Sequence, residues 1–361
     1  MASNTGIEWT DATWNPVVGC SIVSPGCTNC YAMQMAARIE TMQPASHYAG
    51  TTKSVHGHSV WTGKVALAPD HILTAPLRWK KPRRIFVNSM GDLFHESVPD
   101  AWIDRVFAVM ALCPQHTFQV LTKRSRRMRE YCGDIEGSYN IATAILDLLI
   151  DRKIDGKITD ESNPLADERA DDDPALKKWP LPNVWLGVSA EDQTRADERI
   201  PDLLTTPAAV RFVSAEPLLS AVDFTSIKVG GADSLYRANA LTGDGVDGQR
   251  LSWIIAGGES GPEARPMHPD WVRAIRDQCK DADTPFFFKQ WGEWAPGENC
   301  DFAATRTERT AAWFADRWSF SNLTPRESEE MHRDDAPDLY RIGKRRAGHL
   351  LDGIEHREFP K

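Results

Sequence analysis

The sequence predicts a parallel α/β fold. Short apolar runs recur along the chain, amphipathic helical patterns lie between them, and most of the runs lack apolar–polar alternation. Missing alternation is the pattern of strands buried on both faces of a parallel sheet. Strand–helix succession repeated this often argues for the same class. The predicted strands cover 84–88, 117–121, 183–188, 210–213, 252–256 and 285–288. Between them, 100–112 sets Trp102, Val106, Val109 and Met110 near one stripe, and 270–279 does the same with Trp271, Ala274, Ile275 and Cys279.

Composition bounds the function. A chain of 361 residues accommodates one large α/β barrel or two modest domains. With 41% hydrophobic and 26% charged residues it has the make-up of a globular protein with a substantial core. A net charge of -9 gives no general attraction to nucleic acid, so any such contact needs a local basic patch. The start of the sequence has neither a basic nor an apolar stretch, so no signal peptide is expected. No run approaches the roughly 18 apolar residues of a membrane helix, and no membrane partner is expected. Seven cysteines, three clustered and four scattered, do not read as a secreted disulfide framework, so the expectation is a cytoplasmic protein.

Each predicted strand is followed by residues able to do chemistry. These are Ser89 and Asp92, Lys123 and Arg124, Ser189 and Glu191, Ser214 and Glu216, Gly257, Gly258 and Glu259, then Lys289 and Gln290. In parallel barrels such loops converge at the carboxyl ends of the strands. The plainer reading makes Ser, Asp and Glu caps of the next helix. Two segments break the rhythm: 133–182, with a predicted helix over 141–154 and an acidic stretch over 160–174, and 226–250, rich in Gly and Asp. Both read as insertions, and beyond Cys300 the strand rhythm is lost.

The densest signal is a loop carrying Cys20, Cys27 and Cys30, shaped by Gly19, Pro25 and Gly26 and followed by Tyr31. Three thiolates can hold three corners of a [4Fe–4S] cube and leave one iron open, whereas an electron-transfer cluster takes four. Zinc completed by His47, His56 or His58 is a second reading, since Cys-x2-Cys is a common zinc half-site. Three incidental buried thiols is the third.

A three-cysteine loop ahead of a strand–helix series resembles the radical S-adenosylmethionine superfamily, with six residues instead of three between the first two cysteines. The chain more closely resembles a phage and bacterial family with this longer spacing, often encoded beside a three-Cys-motif partner protein. The match rests on Trp14-Asn-Pro, the Cys loop with Tyr31, Asn88-Ser-Met-Gly-Asp-Leu-Phe, Leu186-Gly-Val-Ser-Ala-Glu-Asp-Gln, Ser214-Ala-Glu-Pro-Leu, Gly257-Gly-Glu-Ser-Gly and the terminal Leu351-Asp-Gly. The resemblance implies a partial parallel (β/α)6 barrel of the TIM type over residues 1–299, with a C-terminal extension over 300–361.

It further implies a [4Fe–4S] cluster on Cys20, Cys27 and Cys30, S-adenosyl-L-methionine bound at the open iron, a 5′-deoxyadenosyl radical, and a reductant of the flavodoxin or ferredoxin type. Ser89 and Asp92 stand where the superfamily places its amine-binding Gly-Gly-Glu. The literal Gly257-Gly258-Glu259 falls on a later strand, where adenine, ribose or substrate would lie. Ser189, Glu191, Ser214 and Glu216 are further candidates for ribose or carboxylate contacts.

Basic clusters at 78–84, 123–129 and 344–346 have aromatic residues nearby, although positive helix faces usually just face water. Taken with the phage setting and partner protein that the resemblance implies, they favour a macromolecular substrate, either nucleic acid or a partner polypeptide. The rivals are a non-catalytic module stapled by zinc or a cluster, and a metal-dependent hydrolase using Asp92, Glu191, Glu216 and Glu259 with a histidine such as His95 or His268.

Overall fold

The computed structural model describes residues 5–134, 140, 141, 143–145, 147, 148, 179–231, 234–300, 306–331 and 338–361. The acidic stretch and most of the predicted helix over 141–154 lie outside these residues. Among the described residues the fold is mixed α/β, built on a seven-stranded sheet. Its strands are β1 (Ala12–Trp14), β2 (Arg84–Val87), β3 (Thr117–Thr122), β4 (Val184–Ser189), β5 (Val210–Ala215), β6 (Trp253–Gly257) and β7 (Phe286–Gln290).

They lie side by side in chain order, from β1 to β7. The pairs β1–β2, β2–β3, β3–β4 and β6–β7 run parallel. Six of the seven follow the apolar runs of the sequence. The order contains no reversal, unlike doubly wound sheets, which reverse at a switch point. It is compatible with part of a parallel barrel. Helices α1 (Tyr31–Met42), α2 (Asp100–Ala111), α3 (Ser125–Gly133), α4 (Gln193–Thr205) and α5 (Pro269–Asp281) connect the strands. No described helix is long and apolar enough to cross a membrane.

The chain forms two compact units: Met1–Ser24, Cys30–Val188 and Arg199–Phe212 in the first, Pro25–Asn29, Ser189–Glu198 and Val213–Lys361 in the second. In the first, Trp9 packs edge-on against Phe86, and Trp14 donates its indole N–H to the Ile72 carbonyl at 3.0 Å. Gly187 lies where a Cβ would come within 2.5 Å of the Phe212 ring, so a bare backbone in β4 makes room for that side chain.

In the second unit, β8 (Trp294–Pro296), β9 (Glu308–Phe314), β10 (Arg317–Leu323) and β11 (Asp338–Arg341) form a separate sheet in the order β8–β11–β9–β10. Its neighbouring strands run antiparallel. Residues 356–358 run beside β7, where Phe288 N–H donates to the His356 carbonyl and Glu358 N–H to the Phe286 carbonyl.

Burial gives the fold a pH dependence. Desolvation is the main cause lowering the pKa of His116 in the first unit and of His268 in the second below the ordinary 6.5. At these two rings the unfolded chain therefore takes up protons that the folded chain refuses as pH falls below about 6.5, so their contribution to stability is full above that pH and declines beneath it. Urea unfolding at about pH 7.5 and about pH 5.5 should give a lower midpoint at the acid value. Equal midpoints would show that these rings protonate in place.

Candidate functional site

In the first unit the site is built around Cys20. Gly19 has φ of 90°, pairs in a parallel bridge with Gly91 just beyond β2, and donates its N–H to the Met90 carbonyl at 3.1 Å. This places Cys20 beside the carboxyl end of β2. Asn88, at that strand end, takes a left-handed φ of 60° and accepts from Val17 N–H. Cys20 and Cys30 both pack against one apolar cluster of Val18, Ala32, Met33, Ala36, Tyr48, Trp61 and Met90. Cys30 is the N-cap of α1, at the positive end of a 12-residue helix.

The Cys20–Ser21 segment is gripped by Arg124, the second residue beyond β3. One terminal nitrogen, Nη1, donates to Cys20 Sγ at 3.3 Å and to Asp92 Oδ2 at 3.2 Å. The other, Nη2, donates to the Ser21 carbonyl at 3.2 Å and to Ser21 Oγ at 2.7 Å. Nε donates to Glu96 Oε1 at 3.4 Å. Burial opposes this charge, yet Asp92, Cys20 and Glu96 around it raise the Arg124 pKa above its ordinary range. Asp92 also accepts from Thr122 Oγ1 at 2.6 Å, Phe94 N–H and Lys123 N–H. His95 Nε2 lies 2.9 Å from Ser21 Oγ, and burial first, then the Arg124 charge, lowers its pKa. Ser89 donates its hydroxyl to Asn15 Oδ1 at 3.1 Å, while its carbonyl accepts from Tyr31 OH.

In the second unit the strand-end carboxylates hold the stretch that carries Cys27. Glu191, fully buried after β4, accepts from Gly26 N–H at 3.2 Å. A Cβ on Gly26 would stand 3.0 Å from the Glu191 carboxylate, a contact tight enough to press on that side chain. Glu259, after β6, accepts from Asn29 Nδ2 at 3.0 Å. It also accepts from Arg265 through its backbone N–H and Nε, both at 2.8 Å, and through Nη2 at 2.6 Å. Arg265 Nη2 reaches the Pro25 carbonyl as well, at 3.1 Å. Glu191, Glu259, Asn29 and Arg265 thus form a clasp on residues 25–29.

The remaining candidates have local partners too. Glu216 accepts from Ser214 Oγ at 3.1 Å and pairs with Lys289 Nζ at 3.0 Å. Ser189 is buried at the end of β4, and the Ser214 carbonyl accepts from Ala190 N–H. A Cβ at Gly257 would lie 2.8 Å from Glu216 Oε1, and one at Gly258 only 1.9 Å from the Trp291 carbonyl oxygen. Packing against backbone therefore accounts for Gly258, while at Gly257 the close atom is the end of a side chain that can shift.

Cys20 and Cys30 thus belong to the first unit and Cys27 to the second. Among the described residues no three or more His, Cys, Asp or Glu side chains are gathered as a ligand set for a metal ion. A single zinc ion would need its donors all within about 2.3 Å of one point. A cubane gives each cysteine its own iron and accepts wider spacing.

A parallel α/β protein with a cysteine loop secured by strand-end side chains is the class these features define. The chain matches the family described as Protein of unknown function (DUF5131) over residues 4–360, and it belongs to that family. No curated protein and no solved structure matches it.

Proposed function

We propose that the protein is a radical S-adenosylmethionine enzyme. In this reading it is a partial (β/α)6 barrel of the cytoplasm whose Cys20, Cys27 and Cys30 hold a [4Fe–4S] cluster. It acts on a macromolecular substrate with electrons from a flavodoxin- or ferredoxin-type donor. The observation that carries the reading is the cysteine loop, whose two ends are each held by residues from strand ends. The chemistry around each thiol supports the cluster reading. A guanidinium offsets negative charge at Cys20, Cys30 stands at a helix N-terminus, and Cys27 lies in a stretch fixed by two carboxylates. The sequential strand order suits a partial barrel.

When bound, the cluster supplies the electron that cleaves the carbon–sulfur bond of S-adenosylmethionine. The chain's own residues orient and shield. Asp92 and Glu259, candidates for cofactor contact, are engaged in holding Arg124 and the cysteine loop, and Glu191 shares that second duty. Ser89, Ser189, Ser214 and the strand-end backbone of Gly257 and Gly258 remain candidates for cofactor contact in this reading. Glu216 offers a carboxylate already balanced by Lys289.

Between the two macromolecular substrates, a polypeptide is favoured, the three-Cys-motif partner protein being one such candidate. The basic residues of α3 are spent within the first unit: Arg126 pairs with Glu130, Arg127 with Asp100 and Arg129 with Asp202. The 78–84 cluster precedes β2, at the amino end of the strand rather than the Cys20 end. By contrast Ile22, Val23, Tyr31, Met35 and Met42, on the loop and α1, are exposed apolar side chains suited to a protein surface.

Anaerobic reconstitution tests the proposal. The full chain should retain about four irons, assuming one cubane, and with reductant and S-adenosylmethionine should release 5′-deoxyadenosine. Stoichiometric zinc without iron-dependent absorbance would leave only a stapled binding module.

A further inference from the structure

We infer that Arg124 is a positioning residue that sets the reduction potential of the cluster through the Cys20 corner; the inference rests on the cluster reading above. The argument begins with donor arithmetic. A guanidinium has five N–H donors in a rigid planar fork. Five acceptors surround this one: Glu96 Oε1, Asp92 Oδ2, Cys20 Sγ, the Ser21 carbonyl and Ser21 Oγ. The side chain is 5% exposed, so the fork has no room to swing into solvent. Its plane is therefore determined by the protein, and one N–H is committed to a sulfur.

The support behind the fork is equally complete. Asp92 is 7% exposed at its side chain, and accepts from Thr122 Oγ1 and Phe94 N–H on one oxygen and from Lys123 N–H and Arg124 on the other. Thr122 Oγ1 in turn accepts from Arg124 N–H at 2.9 Å. The end of β3 and the turn after β2 thus fix one another, and the guanidinium stands on both. An arginine needed only to tie two loops together would be satisfied by carbonyls and carboxylates. Here its reach includes the atom that would ligate iron.

Hydrogen bonds to a cluster's sulfurs are among the levers that set its potential. An N–H aimed at the thiolate withdraws electron density from it and favours the more electron-rich, reduced state. Asp92 and Glu96 balance the guanidinium charge on its other sides, so the directed bond to sulfur is the feature that acts on the iron. Loss of that bond should make the cluster harder to reduce.

The test is spectroelectrochemistry on the anaerobically reconstituted full-length protein, comparing wild type with Arg124→Lys and Arg124→Met. The Met variant should load iron but show a midpoint shifted to lower potential, with an altered spectrum of the reduced cluster. The Lys variant keeps the charge and one rotatable donor, and should fall between the two. Should Arg124→Met fail to fold, the ordering of wild type above Lys decides the matter. Variants that load fully with midpoints unmoved would overturn this inference alone. A wild-type protein that holds no cluster would overturn the cluster reading and this inference with it.

Discussion

Replacing Cys27 with alanine should strip the reconstituted protein of its iron, from about four atoms per chain to a background fraction. Three thiolates are the fewest that hold a cubane while leaving one iron open, so removing one leaves two irons without a protein donor. The effect should be separable from misfolding. The clasp acts on this stretch through Gly26 N–H and the Asn29 side chain, which the substitution leaves in place. Two other cysteines provide the comparison. Burial pushes the thiols of Cys132 and Cys279 well above the ordinary range, in surroundings unsuited to a metal-binding thiolate. Cys132→Ala and Cys279→Ala should lose some stability to small cavities yet keep their iron. Iron assay and visible absorbance read all three variants, and full iron in Cys27→Ala would sink the three-thiolate cluster.

Gly19→Ala should destabilise the first unit by about 3–5 kcal/mol, the range reached when a strained backbone position is also overpacked. Gly19 takes a φ of 90°, and an added Cβ would stand 2.1 Å from the Lys64 carbonyl oxygen and 3.1 Å from its carbon. These are backbone atoms of a neighbouring segment, with no flexible end to yield. Relief would require breaking the Gly19–Met90 hydrogen bond and the bridge to Gly91, which together place Cys20. Gly63→Ala is the control. Its φ is 85°, but nothing lies within 4 Å of the added atom, so only backbone strain of about 1 kcal/mol is expected. Urea denaturation of the metal-free protein compares the two. Equal losses would show that the Lys64 contact relaxes.

The parts of the fold that the sequence reveals are those with local signatures. The apolar runs at 84–88, 117–121 and 252–256 announce β2, β3 and β6 because strands covered on both faces need no polar side. The runs 100–112 and 270–279 announce α2 and α5 through a stripe of apolar residues. The hairpin of β9 and β10 has no such signature. Its turn residues Ala315 and Asp316 both have positive φ, of 51° and 58°, without the Asn-Gly pair that usually marks such a turn.

The cysteine loop was legible from spacing, but its supports were not. The Asn29–Glu259 bond joins residues 230 positions apart, and nothing near Arg265 marks it as a partner of either. Gly257-Gly258 is ambiguous in another way. It reads as a cofactor cradle, yet at Gly258 the Trp291 carbonyl by itself leaves no room for a side chain. A glycine required by packing and one required by a ligand look alike in a sequence.

The segment laid along β7 has a consequence for damaged copies of the protein. Besides its backbone pairing, Glu358 accepts the Trp253 indole N–H at 2.8 Å, and Phe359 packs on Trp253 and Phe287. A chain cut short ahead of Arg357 would carry a naked strand margin beside uncovered aromatic rings, a template for recruiting other chains. Copies cut at that point should therefore self-associate, because residues 357–359 are what keep that margin and those rings covered.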